Sequence, residues 1–416
     1  MNEYALNYLF LPKMVLSAYE TFMNLLASHR IFNNFIIGAQ FKPLLKPNKI
    51  ANVVSKLCTK YPQFSLTVGK GYHSEYLKKY DVKDCIEIVH NSTPNQILEK
   101  YSALNFNYAN KTPLWKLVLD SKSNTLFFVA DHTFLDGTAV KNVYNEICKS
   151  FDEVEDDKIE NSVIVPEFKP YPTSAEILKF EERFAEEGIV VDKGTFPEMD
   201  EELLKLPYSK HNFNIVHLSK EKSNYLRQLC RDNGFKLTGL MFSIASKAIV
   251  DSYVHNEEFE KLRTMIAVNN RFKISPEVDP MLYQLGLFFG IHTHYDDISY
   301  VKNSSIFEIA KNFQNGLNDN KHRCNEFWEI LETQAKNDRS IIEKSINDYK
   351  NKDGTPGTTL TMSNINVLGD DKIGKVYFDE PMFDSAFGLH MVSSVDGMAL
   401  NFTSHRAVPK EIFNNY

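Results

Sequence analysis

The residues with the clearest capacity for chemistry are His132, Asp136 and Gly137, which form the pattern His-x-x-x-Asp-Gly. They follow the apolar run Leu126-Phe127-Phe128-Val129-Ala130 and precede a helix-like segment from Thr138 to Ser150. A histidine at the exit of a buried strand projects from a rigid edge into a cleft, and its ordinary pKa near 6.5 suits general-base work. Gly137 removes the Cβ that would hinder a sharp chain reversal at this point. A second arrangement is His292-Thr293-His294-Tyr295-Asp296-Asp297, in which two histidines at alternate strand positions face one way and could share a metal. No further clustered histidine motif completes a ligand set, so no metal is expected and a polar strand edge is the better reading. The sequence lacks a Gly-x-Gly-x-x-Gly turn opening a helix after a strand, a Gly-x-x-x-x-Gly-Lys-Ser/Thr loop and a Gly-x-Ser-x-Gly elbow. Nicotinamide dinucleotide and P-loop readings therefore drop out.

The elements that must position these residues follow from periodicity. Leu114 to Leu119 and Leu126 to Ala130 read as a hairpin across the polar turn formers Asp120-Ser121-Lys122-Ser123-Asn124, with Trp115 packed beneath it. Upstream, apolar residues at Val15, Leu16, Tyr19, Phe22, Met23 and Leu26 mark one helical face. Few lysines or arginines lie opposite this stripe, which favours packing on the core over anchoring in a membrane surface. Ile31 to Phe41 reads as a strand and Asn48 to Tyr61 as a helix. The acidic run Asp152 to Asp157 and the prolines Pro166, Pro170, Pro172 and Pro197 indicate a crossover, within which Thr173 and Glu176 cap a short helix that Gly188 can end.

Beyond it, Asn214 to Leu218 is a strand, Ser219 caps a helix to Asp232, Asn233-Gly234 stops it, and Thr238 caps another to Tyr253. Strands are expected at Arg263 to Val268, Leu287 to His294, Thr358 to Met362, Lys375 to Phe378, Phe387 to Ser394 and Met398 to Thr403. Helices are expected near Ser305 to Leu317 and Asn325 to Asn347. The chain ends at Tyr416 soon after Pro409, before a full terminal helix, so this end reads as short or truncated.

With 416 residues the chain exceeds the roughly 250–300 at which single cores stop growing, so two domains are expected. The formal net charge of −7 and the absence of a basic tail argue against nucleic-acid binding, which needs cationic surface. Cys58, Cys85, Cys148, Cys230 and Cys324 are scattered without Cys-x-x-Cys spacing, which favours reduced, buried thiols in a cytoplasmic protein. No apolar run approaches the about 18 residues needed to span a bilayer. Peripheral contact with the endoplasmic reticulum or lipid droplets stays open, and a monomer is expected.

Four fragments recur in order: Pro113-Leu114-Trp115-Lys116-Leu117, the His132 to Gly137 segment, Val268-Asn269-Asn270-Arg271 and Thr361-Met362-Ser363-Asn364-Ile365. With Leu16-Ser17-Ala18-Tyr19-Glu20 and Lys60-Tyr61-Pro62-Gln63-Phe64 upstream, the chain resembles the fungal alcohol acetyltransferase family. That family belongs to the CoA-dependent acyltransferase superfamily, with chloramphenicol acetyltransferase and the plant BAHD enzymes. The resemblance implies an α/β fold of two chloramphenicol acetyltransferase-like domains, each a mixed sheet with helices, and an active site at their interface. CoA would enter from one face and the acceptor from the other. It implies domains at 1–165 and 214–416 joined by a crossover at 166–213. It also implies His132 as the base and Asp136 turned from the substrate toward an arginine, here Arg271. Gly137 and Arg271 would support the site, and Thr361, Ser363 or Asn364 would lie near the oxyanion or the substrate. The family usually has a glycine after Ser-Asn-Ile, where this chain has Asn366.

The expected activity is transfer of acetyl from acetyl-CoA, as co-substrate, to an alcohol. The alternatives are N-acetylation of a long-chain amino alcohol and a non-catalytic relative that only binds a ligand. A metal hydrolase built on His292 and His294 would instead require bound metal.

Overall fold

A computed structural model of the chain describes residues 14–32, 34–77, 79–106, 112–153, 162–164, 172–184, 199, 201–204, 211–253, 260–350, 356–381 and 384–408. The strand that leads to His132 is Thr125–Asp131, and all of its residues are buried. An uninterrupted apolar run fits here because both faces of the strand are covered. Phe128 and Ala130 face Val54 and Leu57 of helix Pro47–Lys60 and Val140 and Tyr144 of helix Gly137–Ser150. Phe127 and Val129 face Ile97, Leu98 and Tyr101 of helix Pro94–Ser102. The expected hairpin forms, with Trp115 opposite Ala130 and Asp120 opposite Thr125. Its turn is held by the Asp120 carboxylate, which accepts the backbone N–H groups of Lys122 and Ser123 at 3.2 and 3.3 Å.

This hairpin belongs to a five-stranded sheet in the order Ile373–Asp379, Asn34–Phe41, Thr125–Asp131, Trp115–Asp120, Ile86–Val89. The first of these strands comes from the carboxyl-terminal half of the chain and runs antiparallel to Asn34–Phe41, with Phe378 opposite Ile37 and Asp379 opposite Ile36. Its backbone covers what would otherwise be an open sheet edge. The five-stranded sheet therefore draws its strands from both sides of residue 214.

A six-stranded sheet has the order His211–Ser219, Gly397–His405, Ser385–Ser394, Thr358–Val367, Lys261–Asn269, Phe289–Asp297. Leu360, Met362, Leu389 and Met391 on one face pack with Phe242 and Phe313, whose rings stack at 4.3 Å, from helices Leu237–Tyr253 and Ile306–Asn320. Alternation turns Thr361, Ser363, Met265 and Ala267 to the opposite face, where they line a cavity.

Several local expectations need correction. The first helix is Ala18–Ser28, not Val15 to Leu26, because Ser17 and Glu20 form a reciprocal capping box. Residues Ala18 to Ala27 are buried, so this helix leaves no apolar stripe for a membrane surface. Thr238 lies inside helix Leu237–Tyr253 and does not cap it; its hydroxyl accepts a bond from Asn364 Nδ2 at 3.0 Å. The expected helix Asn325 to Asn347 is two helices, Glu326–Asn337 and Ser340–Lys350. Extended backbone at Asp338 separates them, and its carboxylate accepts the Ser340 N–H at 3.0 Å. The short helix capped by Thr173 ends at Leu178 with Lys179 left-handed, while Gly188 lies outside the described residues.

Trp115 is 3% exposed, meets Phe64 edge-on at 5.3 Å and Phe128 at 5.9 Å, and donates its indole N–H to the Phe64 carbonyl at 2.8 Å. Trp115→Ala should therefore lower stability by about 3–5 kcal/mol in urea unfolding.

Candidate active site

His132 stands at the exit of strand Thr125–Asp131, in a turn where the Asp131 carboxylate accepts the Thr133 N–H at 2.8 Å. Its ring is 7% exposed and is surrounded by Phe32, Phe35 and Phe289 at 5.5, 4.8 and 5.0 Å between centroids. Nδ1 is buried and has no hydrogen bond among the described residues. Burial in this aromatic shell pushes the imidazole pKa down to about 4. The charge of Asp136 and the carbonyls of His132 and Leu135 pull upward without overcoming it. At neutral pH the ring is therefore uncharged.

Asp136 begins helix Gly137–Ser150, and Oδ1 accepts the Ala139 N–H at 2.8 Å. The same carboxylate is held from the other half of the chain. Arg271 Nη1 donates to Oδ2 at 2.8 Å, Nη2 to Oδ1 at 3.0 Å, and the Phe288 N–H to Oδ2 at 2.8 Å. Asp136 and Arg271 have side-chain exposures of 5% and 10%, and the carboxylate is fully engaged away from the His132 ring. The guanidinium is equally saturated. Its remaining N–H groups meet the carbonyls of Tyr283 and Gly286 at 2.8 and 2.9 Å and Asn269 Oδ1 at 3.2 Å. Five donors in a rigid fork thus find five acceptors, which a lysine could not supply.

Gly137 does not have positive φ, so its reason for being glycine is not a chain reversal. A Cβ there would collide with the Ile365 Cδ1 of the other sheet. The missing side chain lets the helix start meet strand Thr358–Val367.

These residues border a cavity of about 1230 Å³ lined by both halves of the chain. Much of the wall is apolar and aromatic, including Phe22, Leu26, Phe289, Phe327 and Trp328. Thr361, Ser363 and Asn364 all line it, but their polar groups differ in availability. The Thr361 hydroxyl bonds Ser385 Oγ, and Asn364 bonds Thr238 and accepts the Asn366 N–H at 2.8 Å. Ser363, 6% exposed, keeps a hydroxyl with no hydrogen bond among the described residues.

The rings of His292 and His294 are 6.2 Å apart, His294 sits edge-on between Phe242 and Phe313, and its Nε2 lies 3.3 Å from Asp296. Burial and His294 push His292 down to about 4. Among the described residues no group of three or more His, Cys, Asp and Glu side chains is placed to hold a metal.

Sequence reasoning missed the aromatic shell and the residues 283–288 that lock Arg271. The apolar run Leu285-Gly286-Leu287-Phe288-Phe289-Gly290 was the available signal for the latter. It also missed Arg263 and His390, from separate strands, and Glu380, just past the end of strand Ile373–Asp379, which share no spacing motif.

Two α/β lobes meeting at a cavity with a histidine and an arginine-locked aspartate at its edge define an acyltransferase of the two-lobed, chloramphenicol acetyltransferase-like kind. The profile of the alcohol acetyltransferase family matches residues 87–411, and the chain belongs to that family. No curated protein matches. The fold is similar to the TRI3 trichothecene 15-O-acetyltransferase from Fusarium sporotrichioides, with a TM-score of 0.64 at 10% identity, covering 97% of this chain and 93% of that one. It is also similar to the EpoB cyclization-docking bidomain from Sorangium cellulosum, with a TM-score of 0.63 at 12% identity, covering 97% and 82%. Polyketide synthase associated protein 5 from Mycobacterium tuberculosis gives 0.60 at 14%, covering 97% and 96%. No helix among the described residues is long and apolar enough to cross a membrane.

Two outcomes follow from this geometry. Asp136→Asn should cost about 3–5 kcal/mol in chemical denaturation, because it leaves a buried guanidinium without its counter-charge; His132→Ala should cost much less than this. Second, His132, His292 and His405 are each pushed down to about 4 and His390 to about 3 by burial. Unfolded chains take up these protons near pH 6.5, so the unfolded state binds more protons between pH 6.5 and 4. The stability that these four histidines contribute should be full above pH 6.5 and be lost as pH drops toward 4, partly offset by Glu380 and His211, whose pKa values are raised and which act in the opposite sense, as measured by urea unfolding at a series of pH values.

Proposed function

We propose that this acyltransferase moves acetyl from acetyl-CoA directly to an alcohol, forming an acetate ester, with His132 as general base. The observation that carries the reading is an uncharged imidazole buried at the edge of an apolar cavity with Nδ1 enclosed, which leaves Nε2 to meet the acceptor. With the resident proton on Nδ1, Nε2 takes the proton of the alcohol as its oxygen attacks the thioester carbonyl carbon. The tetrahedral oxyanion collapses, the C–S bond breaks, and the imidazolium returns the proton to the departing thiolate to give CoA-SH. An imidazolium is poorly solvated among Phe32, Phe35 and Phe289, which favours that return.

Asp136 orients the turn through Arg271 and does not itself touch the imidazole. Of the three candidate oxyanion residues, Ser363 has a hydroxyl without a hydrogen bond among the described residues, which supports it over Thr361 and Asn364 for that contact. Direct transfer is supported by the cysteines. All five are buried, and burial raises the Cys85 and Cys148 thiols to about 12, so neither forms a thiolate nucleophile at neutral pH.

The test is release of free CoA from acetyl-CoA on adding a panel of alcohols. His132→Ala should reduce the rate by roughly 10²–10⁴-fold while the protein stays folded. Wild-type turnover by the folded variant at saturating substrates would refute the mechanism.

A further inference from the structure

The same cavity holds a carboxyl group that the transfer chemistry does not use. Glu380 lines it, is 9% exposed, and makes no hydrogen bond among the described residues. No lysine or arginine pairs with it there; its one charged-group neighbour within ion-pair range is His390, with Nε2 at 3.6 Å from Oε1. His390 is 1% exposed, and neither ring nitrogen has a hydrogen bond among the described residues. The neighbouring Asp379 has Oδ1 held by His211 Nε2 at 2.9 Å and Asn401 Nδ2 at 2.8 Å, while its Oδ2 is buried without a hydrogen bond among the described residues. Burial and the charge of Asp379 raise the Glu380 pKa to about 8, while burial lowers His390 to about 3. Among the described residues the cluster thus contains an acid without a lysine or arginine counter-ion, lining open space.

Its position relative to His132 follows from the sheet. Asp379 is opposite Ile36, and Phe35 is opposite Ala130, two residues before His132. Glu380 follows Asp379, so the two backbones are separated by two strand spacings and two residues, roughly 10–12 Å. Phe378, Phe35 and His132 line the cavity with it.

We infer that Glu380 is a recognition site for a protonated amine on the acceptor, at a distance of several bonds from the oxygen that is acetylated. An ammonium group supplies the missing counter-charge, and its binding ionises the carboxyl group and releases its proton. The apolar wall around it fits an aliphatic chain. The accepted substrates would then be amphiphiles that carry an ammonium group as well as a hydroxyl. This rests on the reading of the cavity as the acceptor site but not on the role of His132 in proton transfer.

The experiment is isothermal titration calorimetry of the full chain without acetyl-CoA, comparing octylamine with octanol in two buffers of different ionisation enthalpy. Wild type should bind octylamine roughly ten- to a hundred-fold more tightly. It should also release up to about one proton per amine bound at neutral pH, and none with octanol. Glu380→Gln keeps hydrogen-bonding capacity but not charge, so it should abolish the amine preference and leave octanol binding unchanged. Equal affinities in wild type, absence of proton release, or an amine preference that survives in Glu380→Gln would each overturn the inference. So would equal weakening of both ligands in that variant, which marks hydroxyl recognition. If the variant does not fold, the proton release of wild type decides. Loss of His132-dependent turnover would not alter these binding results, so the two readings fail separately.

Discussion

The pairing of Asp136 with Arg271 joins the start of helix Gly137–Ser150 to the turn after strand Lys261–Asn269, and the geometry around His132 depends on it. A buried carboxylate is tolerable only when its lone pairs are engaged, and here four bonds from Ala139, Phe288 and Arg271 engage them. The guanidinium meets the same requirement through Tyr283, Gly286 and Asn269. Because the donors and acceptors come from both halves of the chain, the halves cannot shift past each other without breaking several buried bonds together. Such a lock contributes definition of position more than net stability, since desolvating both charges offsets much of their attraction.

That lock leaves His132 in an environment set by packing. Its shell is three phenylalanines, Phe32, Phe35 and Phe289, and the upward pull of the His132 and Leu135 carbonyls does not overcome burial among them. Asp136 acts on the ring through space only, and burial outweighs it. At neutral pH such a ring is unprotonated, and any proton that it takes up is readily given back.

A second consequence of joining the halves is the strand Ile373–Asp379, which leaves the carboxyl-terminal part of the chain to cover the edge of the other sheet. This exchange carries Phe378 and Glu380 into the cavity wall. It also places Asp379 where His211 and Asn401 both bond its Oδ1. A cavity between two lobes is thereby given a wall that belongs by sequence to one lobe and by hydrogen bonding to the other.

Local sequence determined the hairpin Trp115–Asp131, the helix after it and the positions of His132 and Asp136. Apolar runs, turn formers and helix caps act within a few residues and need no distant partner. Arg271 was accessible only through resemblance to a family, because nothing in the spacing of Asn269-Asn270-Arg271 points to a carboxylate so far away in the chain. Even the reason for Gly137 was tertiary, since the constraint is Ile365 from another sheet rather than its own backbone angle. The acidity of His132, the availability of Ser363 and the isolation of Glu380 were decided by which side chains the fold brought beside them. Desolvation and unsatisfied hydrogen-bonding capacity are properties of three-dimensional neighbours, and a one-dimensional pattern carries no record of them.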